Sequence, residues 1–131
     1  MTTEHQLVAT YLRYFETKQD EDFWAWEQVD ALVRNDPDQA WEMVRNLIEH
    51  TTSDEALAYV AAGPLEDLLK KYGPIFIDRT EVESRKSIRF RLALSGIWLQ
   101  PSDPIYKRWR ALIAKYGVGY GGRRGPDFAD D

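Results

Sequence analysis

Cysteine is absent from the 131 residues, which removes disulfide frameworks, thiolate metal sites and thiol nucleophiles together. Histidine is scarce. The two present, His5 and His50, lie far apart in the chain, and neither H-x-x-x-H nor H-E-x-x-H spacing occurs, so no helix face offers a zinc-binding pair. No apolar run approaches the ~20 residues needed to span a bilayer, and Met1-Thr2-Thr3-Glu4-His5-Gln6 has neither the basic nor the apolar region of a secretory leader. Nucleophile–base constellations are missing as well. These absences set the expectation of a cytoplasmic, non-enzymatic protein with no cofactor, no metal and no membrane contact.

Aromatics, by contrast, are plentiful, with five Trp, seven Tyr and five Phe, enough to build a real core in a chain long enough for one domain. Charge is unevenly spread. Residues 1–72 hold 15 Asp and Glu against 6 Lys and Arg, a balance of −9, while residues 73–131 hold 7 against 11, a balance of +4. Either the two halves attract each other within the fold, or the acidic half presents a surface to a basic partner.

Helical period runs from end to end, predicting an all-α, compact bundle of about seven helices built from helical hairpins. Leu7, Val8, Tyr11, Leu12, Tyr14 and Phe15 form the apolar arc of a first helix over residues 4–18. Asp20 or Asp22 caps a second, with Trp26, Val29, Leu32 and Val33 on one face, and Asp36-Pro37 opens a third as N-cap plus first-turn proline. Ser53 opens a fourth. Gly63 ends its pattern and Pro64 restarts it through Leu65, Leu68, Leu69 and Tyr72, before Gly73-Pro74 breaks the chain again. Ile75-Phe76-Ile77 could form a short strand, but the charged stretch Asp78 to Lys86 has helical spacing, and helix is the prediction. A sixth helix carries Phe90, Leu94, Ile97 and Trp98 up to Pro101, and a seventh starts at Asp103-Pro104 and stops at Gly117.

The second and third helices echo each other: Trp26-Glu27-Gln28-Val29-Asp30-Ala31-Leu32-Val33 and Trp41-Glu42-Met43-Val44-Arg45-Asn46-Leu47-Ile48 share W-E-x-V-x-x-L-[V/I]. No further copies follow at a solenoid period. Residues 1–116 therefore read as one helical domain and residues 117–131, Gly-rich and then acidic, as a flexible tail. Within that tail Gly117 to Gly122 matches G-x-G-x-x-G in letters, but it follows a helix where the dinucleotide motif needs a strand. The Arg123-Arg124 pair beside Asp127, Asp130 and Asp131 gives no net positive field, which argues against nucleic acid.

Four tryptophans, Trp26, Trp41, Trp98 and Trp109, lie on or beside apolar stripes and are expected in the core. Trp24 falls about 160° from the Trp26–Val29–Val33 face at 100° per residue and is expected to be the most exposed of the five, the kind of aromatic that anchors interfaces. Glu27 lies away from the apolar face of its helix, and Asp38, Glu42 and Glu49 line the outer side of the next. Trp24, Glu27, Asp38, Glu42 and Glu49 are therefore the candidate partner-binding residues. The paired carboxylates elsewhere, Glu66-Asp67 among them, read as caps and solvated faces.

The segments Ala62-Gly63-Pro64-Leu65-Glu66-Asp67-Leu68-Leu69, Phe76-Ile77-Asp78-Arg79 and Leu94-Ser95-Gly96-Ile97-Trp98, with Trp26 and Ala40-Trp41-Glu42, resemble a family of small bacterial proteins, domain of unknown function 6869. The likeness runs over roughly residues 23 to 100, and GPLEDLL is its most specific block. It implies a helical protein with no assigned activity and no catalytic residues to carry over. Its signature positions look structural: Gly63 for a close turn, Trp98 for the core, Asp78 or Arg79 for a buried polar tie. Small, acidic, cysteine-free helical proteins are also similar, as a class, to immunity proteins that block a toxin by binding it. The expected function is thus an immunity- or antitoxin-type inhibitor that binds a basic protein through its acidic half, the alternative a helical scaffold or regulatory subunit of a larger assembly.

Overall fold

The computed structural model describes residues 3–117, and every regular element among them is helical. The tail beyond residue 117, with its letter-matched glycine motif and its arginine pair, lies outside the described residues. Helix α1 (Glu4–Thr17) opens with a capping box, in which the Thr3 hydroxyl accepts from the Gln6 amide and the Gln6 side chain accepts from the Thr3 amide. A 3₁₀ turn over Asp20–Asp22 leads into α2 (Phe23–Asn35). Asp36 caps α3 (Pro37–His50), accepting from Gln39 N at 3.3 Å with Pro37 in the first turn. Ser53 caps α4 (Asp54–Val60) in the same way, and Ser87 caps α6 (Ile88–Leu94). Helix α7 (Tyr106–Tyr116) ends at Gly117, and residues 75–77 are helical, within α5 (Glu66–Lys86).

The Gly63-Pro64 junction does not break the chain. Helix α4 passes into α5 through a π segment, Ala61–Leu65, whose wider turn absorbs the hydrogen bond that Pro64 cannot make. The second glycine–proline pair does leave a kink, one residue early: Tyr72 has φ −132° and ψ 30°, outside the helical region. Ile105 explains why glycine stands beside it, since a Cβ on Gly73 would lie 2.8 and 2.9 Å from two Ile105 side-chain carbons.

Helix α3 is the centre of the bundle, packing against α1, α2, α4, α5 and α6. It buries Ala40, Trp41, Met43, Val44, Leu47 and Ile48, with the Trp41 ring stacked on Phe76 (centroids 5.4 Å, 17° between planes) and tilted against Phe90. The guanidinium of Arg89 closes its C-terminal end, donating to Ile48 O at 3.0 Å and to the carbonyl and hydroxyl of Thr51. Among the described residues two ion pairs join the acidic and basic halves, Arg79 with Asp38 and Arg45 with Glu83. The other pairs close within one half, so mutual neutralisation of the halves is a minor theme.

Three expectations are corrected. Trp26 is not core: it is 37 % exposed, level with Trp24 at 38 %. Helix α2 lies at the periphery and buries only Ala25, Val29 and Val33, a narrow stripe spaced every fourth residue that leaves Trp26 on its flank. Trp98, not Trp24, is the most exposed tryptophan, at 56 %, because α6 stops at Leu94 and helical spacing ceases to apply. Residues 97–99 instead alternate, with Ile97 and Leu99 buried and Trp98 outward. Asp78 and Arg79 are surface residues, paired with Arg108 and Asp38. The start of the seventh helix also shifts: Asp103 accepts from the Gln100 amide in a turn, and α7 begins only at Tyr106.

Candidate functional site

Aromatic side chains gather at one end of the bundle, where α1, α2 and α4 meet. Phe15 and Tyr11 of α1 lie against Tyr59 of α4, at 4.8 and 5.7 Å between centroids. Tyr14 meets Phe23, and Phe23 stacks on Trp26 at 5.4 Å with 9° between planes. Burial does not explain this second group, since Phe23, Trp24 and Trp26 are all exposed. The chain's own Lys18 shows what such a surface attracts. Held by a left-handed C-cap (φ 55°) at the end of α1, its ammonium lies 4.8 Å from the ring centre of Tyr59, 5.0 Å from Phe15 and 5.4 Å from Tyr14, within cation–π range of all three.

Beside the aromatic group a recess opens between α2 and the π segment. Tyr11, Trp26, Val29, Asp30, Val33, Gly63, Pro64 and Asp67 line it, and its empty volume, including the part open to solvent, is about 270 Å³. The π segment makes this possible. Without a Cβ at Gly63 the floor stays open: the nearest side-chain atom to such a Cβ would be the Tyr11 hydroxyl, at 3.6 Å. Two carboxylates from elements far apart in sequence, Asp30 and Asp67, share the rim.

Their proximity is electrostatically unfavourable in the free protein. Partial loss of water raises the Asp67 carboxyl above the ordinary carboxylate range, and the charge of Asp30 raises it further, with Lys70 and Lys71 acting in the opposite sense. Burial likewise pushes the Tyr11 phenol well up, helped by Tyr59 and by the nearby charges of Asp67 and Asp30, so the phenol stays neutral. Asp30 also accepts from Arg34 Nε at 3.1 Å, one turn along α2. Negative charge at the rim, an aromatic wall and a neutral hydroxyl at the floor are chemistry suited to a cation and unsuited to an anion. The recess is far smaller than a pocket for a drug-sized ligand, with room for the head of one side chain and little more.

The residues singled out from sequence occupy two places. Trp24 and Glu27 are exposed on α2, near the aromatic group. Asp38, Glu42 and Glu49 are exposed on α3 and already partnered, Asp38 and Glu49 by residues outside the helix and Glu42 by one within it. Asp38 binds Arg79 of α5 at 3.2 Å, Glu42 binds Arg45 at 2.8 Å, and Glu49 accepts from the Ser87 hydroxyl. Tyr11, Phe23, Asp30 and Asp67 were not singled out. One signal was available for Asp67, its place in GPLEDLL; Asp30 carries none that a single chain displays. The two histidines do meet, lining a shallow depression with Glu4, Val8 and Asn46, but no group of three or more metal-ligating side chains occurs among the described residues. No helix among them is long and apolar enough to cross a membrane.

Residues 14–117 match a family of unknown function (DUF6869). No curated protein and no solved structure matches the chain. With most of its length covered, the chain belongs to that family.

Proposed function

We propose that this member of a family of unknown function is a non-enzymatic binding protein that takes a basic protein partner through its acidic N-terminal half, in the manner of an immunity or antitoxin-type inhibitor. One observation carries the reading: Phe23, Trp24 and Trp26 are exposed together on the helix that follows Asp20, Glu21 and Asp22. Large aromatics set among acidic groups combine the residues that dominate interface energies with a field that steers a basic partner. A scaffold or regulatory role in a larger assembly is the second reading. It is favoured by Ile75 and Val82, both exposed and two turns apart on α5, and by Trp98.

The test begins with co-purification from the native host at low and moderate salt. Surface plasmon resonance on the identified partner follows. The expected result is a basic protein whose association slows with salt and with Glu27→Lys, and whose release quickens with Trp24→Ala. A partner that associates independently of salt, or that binds the Trp24→Ala and Glu27→Lys variants at full affinity, would move the interface to the Trp98 side.

A further inference from the structure

We infer that the recess between α2 and the π segment is a receptor for one arginine side chain projecting from the partner, with Trp26 stacking on the guanidinium and Asp30 and Asp67 accepting its hydrogen bonds. That the occupant belongs to a protein rests on the binding role proposed above; the recess itself rests on geometry.

Three independent features converge on this occupant. The lining is of the right chemistry: two carboxylates from separate helices, an aromatic face, and no basic side chain among the eight residues that form the wall. The recess is small and partly open to solvent, so it can admit a side-chain head group but not a nucleotide or a folded peptide segment. The adjoining surface already holds a cation, because Lys18 rests over three rings of the same aromatic group. Arginine fits better than lysine because its flat fork stacks on an indole while meeting carboxylates edge-on. The existing Arg34–Asp30 contact is a surface pair one turn apart along the helix, of a kind worth a few tenths of a kcal/mol. It uses one oxygen of Asp30 and leaves the other free for a stronger donor.

The inference is tested by titrating the full chain with N-acetyl-arginine amide, and with the citrulline analogue, which keeps the shape and loses the charge. Amide and indole resonances are followed by NMR. The expected result is millimolar binding that shifts the Trp26 indole N–H and the Gly63 amide, with the citrulline analogue silent. Asp67→Asn should weaken binding roughly tenfold, the loss of one charge-assisted hydrogen bond. Gly63→Ala, whose added methyl makes only an ordinary 3.6 Å contact with Tyr11, should weaken it without harming the fold. Shifts that miss Trp26 and Gly63, or that the citrulline analogue reproduces, would overturn the inference. The salt-dependent capture of a partner is measured separately. Its failure alongside a positive titration would leave the cation receptor standing and remove the binding role.

Discussion

Helices α2 and α3 carry the same eight-residue pattern and do opposite things with it. Trp41 of α3 is 3 % exposed and stacked on Phe76, while Trp26 of α2, its counterpart fifteen residues earlier, is 37 % exposed and stacked on Phe23. Ala25, Val29 and Val33 match Ala40, Val44 and Ile48, and all six are buried. The two helices diverge on either side of that shared stripe. In α3 the neighbours α4, α5 and α6 cover the flank, so Trp41, Met43 and Leu47 are buried too. In α2, among the described residues, the flank meets only α1 and the edge of the π segment, so Trp26 stays partly exposed beside the recess and Leu32 is half-buried. The pattern sets the phase of the helix; the number of neighbours sets how wide the buried arc becomes.

The largest effect that can break this comparison is removal of the two rings in turn. Trp41→Ala should cost about 3–5 kcal/mol, the range for a large aromatic deleted from a packed core. Trp26→Ala should cost about 1 kcal/mol, since it forfeits chiefly the stack on Phe23. Urea denaturation of both variants measures the difference. Equal losses would mean that α2 is packed as tightly as α3 and that its flank is covered.

Arginines on the same two helices give the next contrast. Arg45 of α3 bridges Glu42 and Glu83, and the Glu83 carboxylate is largely buried. Arg34 of α2 pairs with Asp30, one turn away on the same helix, and both side chains are partly exposed. Arg45→Met leaves Glu83 with Lys86 at 3.7 Å, and should cost about 1–2 kcal/mol, between the values for exposed and buried pairs. Arg34→Met should stay within about 0.5 kcal/mol. Chemical denaturation again reads both. An Arg34 effect as large as that of Arg45 would contradict the placement of α2 at the edge.

That contrast marks where sequence reading reaches and where it stops. Caps are local, so Asp36-Pro37, Ser53 and the Gly117 stop were legible from a few residues each. The helical state of Ile75 to Ile77 followed from the charged stretch after it. Two things were out of reach. One is the width of each buried arc, which depends on how many helices arrive at a face and which misplaced Trp26. The other is the recess. It requires Asp30 and Asp67 to meet across the bundle, and it requires Gly63-Pro64 to be a π segment where glycine and proline ordinarily signal a break. Trp98 failed for a local reason: Ser95-Gly96 ended α6 earlier than the apolar spacing suggested.

The smallest expected effect sharpens the comparison around α2, where Asp22 at its start and Asp67 of α5 beside it are displaced in opposite directions. Hydrogen bonding and charge from Arg13 hold Asp22 below its ordinary range against the cost of its burial, so the pair stabilises the fold above the unfolded carboxyl value of ~3.9. That contribution is lost as pH falls through the lower folded value. Asp67 is the reverse case. Raised by desolvation and by Asp30, it destabilises the folded state at neutral pH, and the penalty disappears as pH falls through the raised folded value and past ~3.9. Asp22→Asn should therefore lower the melting temperature at pH 7, and Asp67→Asn should raise it. Both differences from the parent should vanish in acid, that of Asp67 at the higher pH. Thermal melts across pH 3 to 7 check the signs. A carboxylate that lowers the stability of the free protein is what a cation receptor requires, because the same repulsion becomes attraction when a guanidinium arrives. Added N-acetyl-arginine amide should accordingly raise the melting temperature of the parent and leave Asp67→Asn nearly unmoved. Equal responses in the two proteins would mean that Asp67 carries its penalty for some other reason than holding a cation.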